Sequence, residues 1–178
     1  MSLDAARLAE LDAFLLALNR ASGEVILPLF RAEHGMVDKG KHGFDPVTEA
    51  DKGAERAIRE LIAERYPDHG VIGEEYGEDR PDAEFVWVLD PVDGTSNFVN
   101  GFPLFGVSVG VLQHGRPVVG AIWCATTHAL HPGVYHAHDG GPLRLDGREV
   151  SPERATKVKR ALAAAPGGSS AGTTAWRC

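Results

Sequence analysis

Two aspartates at the end of an apolar run are the residues whose types and spacing most directly indicate chemistry. Residues 85–89 form an apolar run of strand length, and Asp90 and Asp93 follow it. Because Pro91 and Gly94 disfavour a regular strand, we predict that the backbone bends there and brings both carboxylates to one side. Close carboxylates repel unless a cation lies between them or one is protonated. Mg²⁺ prefers oxygen ligands and is commonly held by a few carboxylates and substrate phosphate, so this segment predicts a magnesium site.

The same segment also has the composition of a tight turn, because Asp, Pro and Gly each favour turns. Two upstream segments make the chemical interpretation stronger. Residues 73–75, Gly-Glu-Glu, follow a short apolar pair, and residues 45–51, Asp-Pro-Val-Thr-Glu-Ala-Asp, open an amphipathic helix that runs to about Arg65. Thr48 and Asp51 resemble a capping box, and a helix start by itself would explain both residues. Asp51 can serve both the helix start and a site.

Taken together, these three segments closely resemble the inositol monophosphatase family of magnesium-dependent, lithium-sensitive sugar phosphatases. Each motif is short and weak by itself, whereas three in the family's order and spacing are specific. The likeness continues through residues 99–103 and covers roughly residues 3 to 160. The matching segments are 45–51, 73–75 and 90–98.

The resemblance implies metal ligands at four positions. Glu74 and Asp90 would bind a first magnesium ion together with the backbone carbonyl of Val92. Asp90 would bridge to a second magnesium ion, which Asp93 would also bind. Two such metals would contact the attacking and leaving oxygens of an in-line displacement and lower the pKa of the attacking water.

The resemblance also implies catalytic and phosphate-binding residues. Thr95 and Asp51 would orient and deprotonate the attacking water, and Glu74 would belong to the same catalytic group. The amides of Gly94 and Thr95 would bind the substrate phosphate, because free N–H groups at a helix start suit an anion. The family also places a lysine upstream of residues 48–51, and the candidates are Lys39 and Lys41.

One part of the family pattern is absent from this sequence. Members carry a Trp-Asp motif in their second half, whose aspartate completes the second metal site, and this sequence ends at Cys178 without it. We expect residues 1–165 to form the N-terminal α+β domain of the family. Residues 166–178 are small and polar, as in a disordered or out-of-frame tail.

The remaining patterns predict an α+β fold, in which two long helices pack on a mainly antiparallel sheet. The second α/β layer of the family would be largely missing, and an uncovered apolar face would then favour a homodimer. The expected helices span residues 3–32 and 45–65, and the expected strands span 71–73, 85–90, 105–112 and 118–124, the last two joined by a turn at 114–117.

Composition narrows the class of protein. The net charge of −7 argues against nucleic acid as a partner, and the lack of a signal peptide or apolar span predicts no membrane and a cytoplasmic location. Cys124 and Cys178 have no metal-ligand spacing and form no disulfide framework. Four histidines lie within eleven residues, but no cysteine or carboxylate pattern completes a zinc set, so we predict exposed hairpin residues: His128, His131, His136 and His138.

The predicted function is a Mg²⁺-dependent phosphomonoesterase that hydrolyses a small phosphorylated alcohol. Inositol monophosphate is the first candidate substrate, because residues 97–98 and 101–103 resemble the inositol branch of the family. Residues 73–77 are also similar to histidinol-phosphate phosphatases, which makes histidinol phosphate the alternative substrate. The other alternative is a truncated, non-catalytic fragment that folds and binds metal weakly.

Overall fold

An eight-stranded sheet with two long helices makes up the part of the chain that the structure, a computed structural model, describes: residues 3–31 and 49–150. The strand order is β2-β1-β3-β4-β5-β6-β7-β8, in which only β1 and β3 run parallel. This confirms the predicted α+β class with a mainly antiparallel sheet. The helices are α1 Ala5–Ile26, α2 Glu49–Arg65 and α3 Thr95–Val99; the strands are β1 Gly70–Gly73, β2 Gly77–Asp79, β3 Phe85–Asp93, β4 Gly106–Gln113, β5 Arg116–Cys124, β6 Gly133–His138, β7 Arg144–Leu145 and β8 Arg148–Glu149.

Helix α1 begins at a side-chain cap and ends before a proline. Asp4 accepts a hydrogen bond from the backbone amide of Arg7 at 2.7 Å, which satisfies a first-turn donor. Leu11, Leu15 and Leu18 on its apolar face are fully buried. The helix was expected to reach residue 32, but it ends at Ile26 and continues as a single 3₁₀ turn, Leu27–Leu29, because Pro28 cannot donate to the helical ladder.

Helix α2 buries one face against the sheet and α1. Ala54, Ile58 and Ile62 line that face and are almost completely buried. Acidic residues in its first turn and Arg65 in its last turn agree with the helix dipole. The predicted start at residue 45 and the predicted cap Thr48 lie outside the described residues.

The sheet has one covered face and one open face. Strand pairing places Leu89, Val109 and Ala121 side by side, and all three are buried on the face that the helices cover. On the other face, Val88 is 37% exposed and Ile122 is 46% exposed. Within residues 3–31 and 49–150, no second layer covers this face.

The predicted hairpin is present with a shorter turn. His114 and Gly115 have φ values of 48° and 76°, the left-handed pair that a two-residue hairpin loop needs. Arg116 and Pro117 belong to β5 rather than to the turn, and the register of the two strands shifts beside them. Pro117 is tolerated in β5 because it pairs with Leu112 beside this register shift, where the backbone N–H that proline lacks is not needed for the strand pairing.

The structure contradicts the prediction that all four clustered histidines are exposed. His136 is only 4% exposed, and its Nδ1 lies 2.8 Å from Oδ1 of Asp12. Its Nε2 accepts from the Gly147 amide at 3.0 Å, so Nδ1 must carry the proton that Asp12 accepts. His136 is therefore a buried polar contact between α1 and β6. His128 and His131 are exposed as expected, and His138 is half-buried.

A buried histidine also lies beneath the central tryptophan. Trp87 donates from Nε1 to Nδ1 of His69 at 3.0 Å, and because indole can only donate, that Nδ1 must be unprotonated. The His69 ring lies stacked against Tyr66 and Phe85, with centroid distances of 4.6 and 4.8 Å. Burial, followed by the charge of Arg7, lowers the pKa of His69 below its ordinary 6.5.

We expect NMR titration of the His69 ring in the 178-residue chain to give a pKa below 6.5. Because the unfolded chain then binds more protons than the folded protein, His69 adds stability above pH 6.5 that is lost as the pH falls through the folded-state pKa. A ring that titrates above 6.5 would contradict the buried, neutral assignment.

Candidate active site

The carboxyl ends of β1 and β3 meet at one edge of the sheet. These strands run parallel, and Gly73 pairs with Leu89. The next residue along each strand is an acid, Glu74 after β1 and Asp90 within β3, so the two carboxylates become neighbours. Open α/β sheets commonly bind ligands beyond the carboxyl ends of parallel strands.

A bulge in β3 places Asp93 relative to Asp90. Asp90 pairs with Ser108 and Asp93 pairs with Gly106, so β3 advances three residues while β4 advances two. In a regular strand, residues three apart point to opposite faces, and the extra residue removes that alternation. The prediction that the strand stops at Pro91 is wrong, because β3 continues to Asp93 through this irregular pairing. The charge of Asp93 raises the pKa of Asp90, which agrees with the expected approach of the two carboxylates.

Asp90 is the most perturbed acid at this edge. Burial raises the pKa of its carboxyl from 3.8 to about 6, followed by the charges of Glu74 and Asp93. The charge of Asp51 acts in the same direction, and a hydrogen bond with Glu74 favours the protonated form further. The Asp90 Oδ1 atom is buried and, among the described residues, has no hydrogen-bond partner. A buried carboxylate oxygen without a donor is costly, which favours an external cation or proton.

Asp51 lies on the first turn of α2, is 4% exposed, and contributes its charge to two neighbours. Burial raises the pKa of Glu75, with the charges of Asp51 and Glu74 as the next causes. The predicted acids Asp51, Glu74, Asp90 and Asp93 are thus brought to one region by α2, β1 and β3. Glu75 joins them, although no role was predicted for it from the sequence.

The side chains at this edge offer oxygen ligands to a cation at Asp90, but they do not form a complete metal-binding site. Across residues 3–31 and 49–150, no three His, Cys, Asp or Glu side chains lie close enough to hold a metal ion as they stand. Asp90 nevertheless offers an unpartnered buried oxygen beside a second carboxylate, Glu74, and hard oxygen ligands of this kind suit Mg²⁺. Asp90 and Glu74 therefore supply the kind of oxygen ligand that the family resemblance implied, without a complete set of ligands around one point.

The turn after β3 requires a glycine at position 94. Gly94 has φ 90°, a left-handed conformation, and a Cβ there would lie 3.0 Å from the Leu104 carbonyl oxygen. Helix α3 begins at Thr95, and first-turn amides have no acceptor within their own helix. The amides of Gly94 and Thr95 thus lie beside Asp93 at the same strand end.

Thr95 makes a contact that the sequence did not predict. Its hydroxyl donates to the Val92 carbonyl oxygen at 2.9 Å. A hydroxyl has one proton, so in this arrangement Thr95 can only accept from a water or from another donor. The Val92 carbonyl keeps a second lone pair, so it remains able to bind a cation.

One participant was missed from the sequence. Glu55 is fully buried and accepts hydrogen bonds from the amides of Glu75 and Tyr76, next to Glu74. Its position four residues after Asp51, on the apolar face of α2, was the available signal, because a charged residue is rarely buried without partners. Lys39 and Lys41 lie outside the described residues.

Known proteins share the sequence pattern of this chain. Residues 7–175 match the family described as the inositol monophosphatase family. The chain is 38% identical over 157 residues to a bifunctional phosphatase, IMPL2, of Arabidopsis thaliana, covering 85% of this chain and 44% of that relative. It is 41% identical over 104 residues to an inositol-1-monophosphatase of Synechocystis, covering 58% and 36% of the two chains.

Solved structures give the same result for the fold. The inositol monophosphatase of Anabaena superposes with a TM-score of 0.67 at 27% identity, covering 82% of this chain and 50% of that one. The chain therefore spans about half the length of the relatives it matches, 44% of the Arabidopsis protein and 50% of the Anabaena protein. None of the helices in the described ranges combines the length and apolar character needed to cross a membrane.

Proposed function

Because this chain belongs to the inositol monophosphatase family, we propose that it is a magnesium-dependent phosphomonoesterase that hydrolyses a small phosphorylated alcohol, with inositol monophosphate as the first candidate. The observation that carries the proposal is Asp90: a half-buried side chain whose Oδ1 atom is buried and, among the described residues, has no hydrogen-bond partner, beside Glu74 and under the charge of Asp93. A homodimer, the absence of nucleic-acid and membrane partners, and a cytoplasmic location remain predictions.

Four residues would hold the metal. The carboxylates of Glu74, Asp90 and Asp93 and the carbonyl of Val92 supply oxygen ligands at the carboxyl ends of β1 and β3. Bound magnesium would lower the pKa of the attacking water and neutralise charge on the phosphate. The carboxylates would gain a cation in place of mutual repulsion, which also removes the cost of the unpartnered Asp90 oxygen.

The other predicted residues would act on water and phosphate. Asp51, buried on α2 and close enough to raise the pKa of Asp90, can accept a proton from a water, which then attacks phosphorus as the bond to the alcohol oxygen breaks. The leaving alcohol oxygen takes up a proton from solvent water, which completes the hydrolysis. The Thr95 hydroxyl donates its hydrogen bond to the Val92 carbonyl oxygen. It would orient the attacking water by accepting a hydrogen bond from that water. The amides of Gly94 and Thr95 would bind the phosphate oxygens, because they lie at the start of α3, where first-turn amides suit an anion.

The test is phosphate release from inositol 1-phosphate by the 178-residue chain, with and without Mg²⁺. We expect release that requires Mg²⁺ and that is lost in Asp93→Asn, because the variant removes a ligand charge while preserving side-chain size. Asp139→Asn, at an exposed position after β6, is the matched control and should release phosphate as the wild type does.

Two outcomes would redirect the proposal. Faster release from histidinol phosphate would move the substrate to the alternative class, with the same metal chemistry. No release from a chain that circular dichroism shows to be folded would support the non-catalytic fragment instead.

A further inference from the structure

Glu55 is a charged side chain with no access to solvent. Its exposed fraction is 0%, and its Oε1 lies 2.7 Å from Nε of Arg59, one helical turn later on α2. Burying a carboxylate is costly unless ion pairs and hydrogen bonds compensate for lost water. The hydrogen-bond partners of Glu55 and Arg59 show which backbone segment this ion pair holds.

Among the described residues, the further hydrogen bonds of this ion pair go to the turn between β1 and β2 and to the first residue of β2. The Glu75 amide donates to Oε2 of Glu55 at 2.8 Å, and the Tyr76 amide donates to Oε1 at 3.2 Å. Arg59 in turn donates from Nη2 to the carbonyl oxygen of Gly77. The pair therefore contacts three consecutive residues, Glu75 and Tyr76 in the turn and Gly77 at the start of β2, and joins them to α2.

The residue before Glu74 packs directly on the same carboxylate. A Cβ built on Gly73 would lie 2.0 Å from Oε1 of Glu55, well inside the closest approach of real atoms. A side chain at position 73 would displace the Glu55 carboxylate from its hydrogen bonds, because that carboxylate occupies the space that the side chain would need. Glu55 therefore contacts both neighbours of Glu74 in the chain. Gly73 packs against the Glu55 carboxylate, and the amide of Glu75 donates a hydrogen bond to it.

We propose that Glu55, paired with Arg59, is a positioning residue that holds the Gly73–Gly77 turn so that the Glu74 carboxylate stays beside Asp90. This assignment rests on the proposed function, in which Glu74 and Asp90 share a magnesium ion. Helix α2 then contributes to the site in two ways. Asp51 lies close enough for its charge to raise the pKa of Asp90 and of Glu75, and Glu55 holds the backbone on both sides of Glu74.

The experiment measures Mg²⁺ binding by calorimetry and amide hydrogen exchange by NMR in the full chain. Glu55→Gln keeps one acceptor oxygen but places an NH₂ group where two amides and a guanidinium need acceptors. We expect Mg²⁺ to bind about 10–100-fold more weakly, the usual effect of changing a residue that orients a metal ligand. The amides of Glu75 and Tyr76 should exchange faster than in the wild type.

Two further variants separate positioning from stability. Glu60→Gln, an exposed change on the same helix, is the matched control and should leave both readouts unchanged. Arg59→Gln removes the bond to Gly77 without emptying the Glu55 site, and it should weaken Mg²⁺ binding even if Glu55→Gln does not fold. Both variants are measured below their unfolding transitions, where a purely structural role would leave the Mg²⁺ dissociation constant unchanged.

Wild-type Mg²⁺ affinity in both Glu55→Gln and Arg59→Gln would overturn the proposal. If the wild type itself fails to bind Mg²⁺, the proposed function is contradicted, and exchange at Glu75 and Tyr76 alone decides whether Glu55 holds the turn. Unchanged exchange in that case would overturn the positioning role as well.

Discussion

Replacing Asp90 with asparagine is expected to stabilise the metal-free protein and to remove its response to magnesium. The carboxyl is penalised in the fold by burial and by the charges of Glu74 and Asp93, which raise its pKa from 3.8 to about 6. A neutral amide of the same shape avoids that penalty. The same substitution removes the charged oxygen that a cation would bind, so stability and function should change in opposite directions.

The gain in the free energy of unfolding should depend on pH. Because the folded-state pKa of Asp90 lies above its unfolded value, the folded wild type binds the extra proton between pH 3.8 and about 6. The wild type therefore loses stability relative to Asp90→Asn as the pH rises through this window, and the difference is constant above it. The full shift corresponds to about 3 kcal/mol, an upper bound because the side chain is half-buried and water screens part of the repulsion.

Urea unfolding of both proteins with EDTA, from pH 4 to pH 7, measures this difference. Saturating Mg²⁺ should then stabilise the wild type by about 2.7 kcal/mol at a hundred times the dissociation constant, and Asp90→Asn hardly at all. Asp82→Asn, on the exposed loop before β3, is the control and should change neither result. A destabilised Asp90→Asn in EDTA would contradict the electrostatic account.

Replacing Trp87 with alanine is expected to cause a severe loss of stability. The side chain is completely buried at the centre of β3, where it contacts the rings of Phe14 and Tyr66 at centroid distances of 5.6 Å. Truncating a buried tryptophan loses its transfer free energy and leaves a cavity, typically about 3–5 kcal/mol together. The free energy of unfolding in urea should fall by that amount.

Trp87→Phe separates packing from the hydrogen bond. Phenylalanine fills much of the space but leaves Nδ1 of His69 without its donor, which costs about 1–3 kcal/mol for a buried polar atom. Phe102→Ala, at a side chain that is 57% exposed, should change stability by less than about 0.5 kcal/mol. Equal stability of Trp87→Ala and the wild type would refute the central role of this ring.

The family and the helices were predictable because their signals are local. Turn residues and apolar periodicity depend on neighbours within a few positions, so the faces of α1 and α2 and the hairpin after residue 105 could be predicted directly. The errors were local as well. Helix α1 ended earlier than predicted because of Pro28, and β3 continued through a bulge at Pro91, where the proline had predicted that the strand would end.

The identity of the acids was set by the sequence, whereas their mutual placement was decided only by the tertiary structure. Nothing near Glu74 in the chain indicates Asp90, because the parallel register of β1 on β3 joins residues sixteen positions apart. The burial of Glu55 and of His136 likewise depends on elements far along the chain that cover them. Strand register and burial are set by the packing of the whole sheet. A shift of the pairing register by one residue would move every side chain of that strand to the opposite face, and no short segment contains the information that prevents it.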